Sequence, residues 1–382
     1  MLERIVQGLA GLTSGFEFLF TQGLPNIIML CIAAVMFYLA IAKGVEPLLL
    51  IPIGFGCFLV NIPLSDVMHQ GGILKFLYDI GIETEIFPLL IFVGIGAMTD
   101  FGPLLENPKI LLFGAAGQFG IFLALLLALA LGFSKVEAVC NGIIGACDGP
   151  TAIYVTAQYA PQLLGAVSVA AYSYMSLVPI IQPPIMRLLT TDKERRVRMA
   201  MGKPTVSART RLLFPIVVTL ATGFIAPKGL PLMGMIMLGN FLKESCVVSR
   251  LTGASENEIA NVVTLFLGLA IGGTMVGQKF LTVETLGIFG LGFVAICVDT
   301  AAGVLLGKLM CALSGGKINP LIGAAGISAY PMAARVAQVL GHKYDKQNFL
   351  LMHAMGANTG GQIGSVVAAA VMLSVLQGMK LI

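Results

Sequence analysis

Charge is scarce in this sequence: Asp, Glu, Lys and Arg make up 11% of its 382 residues, and tryptophan is absent. A soluble domain carries roughly 25% charged residues, so a water-facing surface of ordinary size is excluded. The seven cysteines, Cys31, Cys57, Cys140, Cys147, Cys246, Cys297 and Cys311, stand singly, without a CxxC pair or metal-ligand spacing. They read as small buried residues, not as a disulfide framework. His69, His342 and His353 form no motif, which leaves no structural metal site in view. Nucleophile–base pairings and a P-loop are missing, which argues against an intramembrane hydrolase. Met1 to Gln22 mixes Glu3, Arg4 and Glu17 with apolar residues and has no basic n-region followed by a cleavage site. An amphipathic interfacial helix is expected there instead of a signal peptide.

What is present is apolar. Hydrophobic residues reach 57% and mean hydropathy is +0.93, values of an integral membrane protein. The apolar runs suit helices and lack the alternation of a β-barrel, so the fold expected is all-α, with about ten or eleven transmembrane helices in one membrane domain. Some of these should be broken or re-entrant. The net charge of +4 comes from one hydrophilic segment, 190–211, with Lys193, Arg195, Arg196, Arg198, Lys203, Arg209 and Arg211 against Asp192 and Glu194. The positive-inside rule makes this a basic cytoplasmic loop. It also suits an acidic partner or anionic headgroups, although topology alone accounts for it.

The stretch that calls for a function is Asn141 to Tyr154, where Asp148-Gly149-Pro150-Thr151 stands inside an apolar segment. An Asp at a helix centre costs roughly 2.5 to 3.5 kcal/mol, so such acids face a cavity or a partner. Proline frees nearby carbonyls from the helix ladder, and these can bind a cation beside the carboxylate. Asp148 is therefore expected to bind an ion.

Two halves can be matched around the basic loop, 86–189 and 259–380. Ile91-Phe92-Val93-Gly94 pairs with Leu265-Phe266-Leu267-Gly268, Phe113-Gly114 with Phe289-Gly290, and Asn141 through Ala146 with Asn319 through Ala324. The second half has no acid equivalent to Asp148. Order is kept, which points to two structurally related, inverted repeats with the site between them; chance matching in Gly/Ala-rich sequence is the alternative. Gly356 through Ser365 adds Asn358, Thr359 and Ser365 as neutral oxygens in a glycine-rich run, suited with one carboxylate to a monovalent cation. Small-xxx-small helix packing explains the same glycines. Asp299, after Ile296-Cys297-Val298, is either buried or at the membrane surface where its span ends.

These motifs resemble one family, the membrane β subunit of the biotin-dependent, sodium-translocating decarboxylases of oxaloacetate, glutaconyl-CoA or methylmalonyl-CoA. Phe92 through Pro103, Asp148 through Thr151, Asn319 through Gly326 with Ser328 and Arg335, and Asn358 through Ser365 carry the likeness, which covers nearly the whole chain. The resemblance implies sodium ligands at Asp148, Asn319, Gly323, Ser328 and Asn358, and catalytic roles for Asp148, Arg335 and Tyr174. It further implies that carboxybiotin arrives on a separate biotin carrier protein, and that its decarboxylation drives sodium export across the bacterial cytoplasmic membrane. The partners implied are a carboxyltransferase (α) subunit, that carrier, a small single-span membrane subunit and further β chains in a homotrimer. A sodium-coupled secondary organic-anion transporter is the competing class, since composition and helix breakers would look the same.

Overall fold

The computed structural model describes residues 23–200 and 206–380 together with residue 18, so the interfacial helix expected at Met1 to Gln22 and the residue Lys203 lie outside what is described. Every regular element among the described residues is helical, as the composition requires. Leu24–Lys43, Pro108–Ala130, Ala208–Ile225, Val283–Leu313 and Leu351–Gly378 are each long and apolar enough to cross a bilayer. Two bent pairs, Ile73–Glu83 with Ile86–Met98 at 61° and Pro161–Met175 with Leu177–Leu189 at 58°, raise the number to seven. The expectation of about ten or eleven counted shorter runs as well. Pro47–Asn61 has 15 residues, about 22 Å of helix against a hydrocarbon core of about 30 Å, and packs beside 260–273 instead of crossing alone.

The order of elements from Leu24 to Leu189 recurs from Ala208 to Gly378: long helix, shorter helix, helix with a π turn, long helix, hairpin, long helix. The π turns fall at equivalent places, Asp79–Glu83 and Ser255–Ile259.

The two hairpins organise the centre. In the first, Ser134 and Glu137 form a capping box that starts Lys135–Ile143. The helix tightens through Ile144–Ala146 and stops where Cys147 adopts a left-handed φ of 53°. Asp148 is extended, and Pro150 sits in the first turn of Gly149–Tyr159, where its missing N–H costs nothing. Gln162 Nε2 donates to Glu137 Oε1 at 3.1 Å, bringing the hairpin's two ends together. In the second, Asn319 caps a 3-10 run, Pro320–Gly326, and the chain turns at Ser328 into Met332–Tyr344. Both of its ends are held at Arg195: Asn319 Nδ2 donates to the Arg195 and Val197 carbonyls at 3.0 and 2.8 Å, and Arg195 Nη1 donates to Tyr344 Oη at 2.8 Å.

Val283–Leu313 passes both hairpins in sequence. Leu291 packs with Ala138 near the open end of the first, Ala295 lies against Gly145 near its tip, Gly303 against Gly323, and Gly307 against Pro320 at the second's open end. The hairpins therefore enter from opposite ends of this helix and meet tip to tip, where Ser328 N–H donates to the Ala146 carbonyl at 3.1 Å. Glycine is required at the Gly303–Gly323 crossing because a Cβ on either would strike the other's carbonyl.

Candidate ion site between the hairpin tips

Asp148 is 2% exposed. Its Oδ2 accepts from Thr151 Oγ1 and from Ser365 Oγ, both at 2.7 Å, and Oδ1 accepts the Thr151 N–H at 3.5 Å. The carboxylate thus caps its own half-helix, whose N-terminal dipole favours a negative charge. Ser365 reaches it from Leu351–Gly378, the long helix that lies across both tips. No Lys, Arg or His forms an ion pair with Asp148 among the described residues.

The unwound segment Ala324 to Ser328 is held by four carboxamides. Gln182 Nε2 donates to the Ala324 carbonyl at 2.7 Å, Gln118 Nε2 to Gly326 at 3.4 Å, Asn358 Nδ2 to Ile327 at 2.6 Å, and Gln362 Nε2 to Ser328. This answers where the backbone groups of a broken helix go in a medium without water. Each amide oxygen of these four side chains is buried and has no hydrogen-bond partner among the described residues. With its NH2 fixed on a carbonyl, each side chain presents its oxygen the other way, as an acceptor free for a cation or water. Asn358, Gln362 and Ser365 lie at i, i+4 and i+7, on one face of their helix.

A cavity of about 540 Å³ reaches Asp148, and Ser328, Gln362, Tyr172, Tyr330 and Arg335 line it. Of the residues singled out in the sequence, Asp148, Ser328 and Arg335 share this cavity, and Asn358 binds the turn behind Ser328. Asn319 lies at the far end of the second hairpin with its amide on Arg195 and Val197, and its Oδ1 accepts the Leu321 N–H at 2.9 Å. Gly323 is a packing contact with Gly303. Tyr174 turns away: its hydroxyl donates to the Phe289 carbonyl and its ring lies on Gly292. Tyr172 is the tyrosine in the cavity, its ring against Gly149. The sequence offered Ser365 as a neutral oxygen, whereas Gln118, Gln182 and Gln362 were not singled out there, although each is a polar residue in an apolar span. Asp299 proves fully buried near the middle of its 31-residue helix, with Oδ1 accepting the Gly120 N–H at the start of Phe119–Ala130.

Broken helices that meet end to end at an intramembrane acid are the build of ion-coupled membrane transport proteins. Comparison with known proteins narrows the class. The family model for the Na+-transporting oxaloacetate decarboxylase beta subunit matches residues 25–376, and the chain belongs to this family. It is similar to glutaconyl-CoA decarboxylase subunit beta of Acidaminococcus fermentans, 53% identical with 96% of each chain covered. Methylmalonyl-CoA decarboxylase subunit beta of Veillonella parvula is 53% identical with 95% of each covered, and oxaloacetate decarboxylase beta chain of Klebsiella pneumoniae 46% with 99% of each. The chain is thus a multi-pass bacterial membrane protein of a decarboxylase-coupled sodium pump family.

Proposed function

We propose that this chain decarboxylates carboxybiotin, presented on a separate biotin carrier protein, and uses the reaction to export sodium. The observation that carries the reading is the shared cavity: Asp148 lies in it between the hairpin tips, and Arg335 is the one cation among its described lining residues. Decarboxylation breaks the ureido N–C bond and releases carbon dioxide, and the nitrogen that keeps the electron pair takes up a proton. Arg335 would hold the carboxylate of carboxybiotin, and the low-polarity walls would favour its conversion to neutral carbon dioxide.

Sodium, the cargo, would sit on Asp148 with Ser328, Asn358 and Ser365, its charge offsetting the buried carboxylate. In this reading Asn319 and Gly323 shape the second hairpin, and Tyr174 braces its own helix, Leu164–Leu189, against Val283–Leu313. The two halves would act as inverted repeats whose tips shift to expose the ion to either side. A carboxyltransferase (α) subunit would load the carrier, and a small single-span subunit and a homotrimer of β chains would complete the assembly. The three relatives above carry three different substrate names at 46 to 53% identity, so the acid decarboxylated is a property of the loading subunit in this reading.

The test uses the purified chain in liposomes with a carboxylated biotin carrier. Arg335→Gln is expected to abolish carbon dioxide release while sodium still raises the thermal unfolding midpoint. Carbon dioxide release at the wild-type rate in that variant would refute the role of Arg335, and sodium exchange with no decarboxylation by the wild type would favour the secondary transporter.

A further inference from the structure

A second cavity, of about 390 Å³, lies on the other side of Arg335. Arg187, Arg335 and Lys343 line it, and all three are exposed. Among the described residues none of them is in an ion pair, and no acidic residue lines the cavity. Its remaining walls are apolar, including Pro183, Val336 and Leu340.

Cations without a counter-charge in an otherwise apolar groove suit an anion, and the surroundings say which kind. Arg187 lies two residues before Leu189, where its helix ends at the basic segment, and its carbonyl accepts from Arg195 Nη2. Lys343 precedes Tyr344, which Arg195 also binds. The groove is therefore at the end of the membrane domain that carries the positive charge. Leu188 beside it is 85% exposed and Val339 is 70% exposed, apolar surface suited to acyl chains. Arg335 and Lys343 stand eight residues apart on one helix, about 12 Å along its axis. That length runs from the headgroup layer towards the acyl chains.

We propose that this groove binds an anionic phospholipid of the cytoplasmic leaflet, its phosphate held by Arg187 and Lys343 and its acyl chains lying on Pro183, Val336 and Leu340. Basic pockets between membrane helices on the cytoplasmic side are suited to acidic headgroups, and guanidinium pairs bind phosphate in bidentate fashion. The binding claim rests on membrane placement and not on the decarboxylase reading, so the two fail separately.

The experiment is native mass spectrometry of the delipidated full chain titrated with phosphatidylglycerol or phosphatidylcholine, for wild type, Arg187→Gln/Lys343→Gln and Arg187→Lys/Lys343→Arg. Wild type is expected to retain phosphatidylglycerol over phosphatidylcholine. The double Gln variant is expected to lose that preference by about tenfold or more, and the charge-keeping variant to recover it. Equal retention of both lipids, or undiminished phosphatidylglycerol binding by the double Gln variant at an unchanged unfolding midpoint, overturns the proposal. Displacement of phosphatidylglycerol by millimolar inorganic phosphate would mark a free-phosphate site and overturn it too. Binding of a purified biotin carrier that needs the same cations, with no lipid retained, would make the groove a protein docking site instead.

Discussion

Ser365→Ala removes the hydroxyl that reaches Asp148 from the long C-terminal helix, a 2.7 Å bond between buried partners. A hydrogen bond to a charged group contributes about 1.5–3 kcal/mol. Thr151 Oγ1 stays on the same carboxylate oxygen at 2.7 Å, which places the expected loss at the lower end, about 1.5 kcal/mol. The sodium concentration for half-maximal effect should therefore rise about tenfold. Two readouts should move together: the sodium dependence of decarboxylation in liposomes, and the sodium dependence of the unfolding midpoint in detergent. Thr151→Ala alone should act in the same direction, and the double variant should be non-additive because both hydroxyls serve one oxygen. Ser374→Ala is the control, since among the described residues Ser374 Oγ bonds only to the Ala370 carbonyl of its own helix, at 2.8 Å. A half-maximal sodium concentration within twofold of wild type for Ser365→Ala would refute the assignment of Ser365 to the ion site.

Asn319→Ala should lower stability by about 1 kcal/mol, because the Leu321 N–H loses its acceptor while Asn348 Nδ2 still donates to the Arg195 and Val197 carbonyls, yet leave the sodium dependence unchanged; a tenfold shift in sodium dependence with little destabilisation would show that Asn319 is a ligand. Gly323→Ala and Gly303→Ala should cause equal losses of folded protein on detergent extraction, because each Cβ meets the other residue's backbone; a loss confined to Gly323→Ala would contradict the packing account. Asp345 lies outside the membrane spans, where the Arg198 guanidinium at 2.6 Å and the Gln347 N–H hold its carboxyl below the usual carboxylate range. A depressed acid contributes stability above its unfolded value and loses it as pH falls through the folded value, so the contact should open only below about pH 4. Acid-protease cleavage of the 190–200 segment should begin there in wild type and at higher pH in Asp345→Asn, and identical profiles would refute the coupling.

Much of the architecture was legible because lipid leaves few options. Scarce charge and long apolar runs required helices, and Asp148 beside a Gly-Pro marked the first broken hairpin. The pairing of Asn141 through Ala146 with Asn319 through Ala324 picked out the two segments that narrow to 3-10 turns before the tips. Side-chain direction was not legible. Asn319 and Ser365 both sit in glycine-rich runs, but one faces the basic segment and the other Asp148, and only the tertiary fold decides. Tyr172 and Tyr174 are two residues apart on one helix, and without its rotation about its axis nothing told which ring meets Gly149. Asp299 was open between burial and the membrane surface. The break at Gly117 and Gln118 in a neighbouring helix, which frees the Gly120 N–H, settles it as buried, and that break carries no proline to announce it.

The central claim is that sodium is coupled to decarboxylation through Asp148. The direct measurement is simultaneous carbon dioxide release and sodium uptake by the reconstituted chain with a carboxylated biotin carrier, for wild type and Asp148→Asn. Asn keeps the shape and the acceptor for Thr151 but removes the charge, so the account predicts loss of both sodium stimulation and sodium uptake in a protein that still folds. Sodium uptake that persists at the wild-type ratio to carbon dioxide in Asp148→Asn would contradict it.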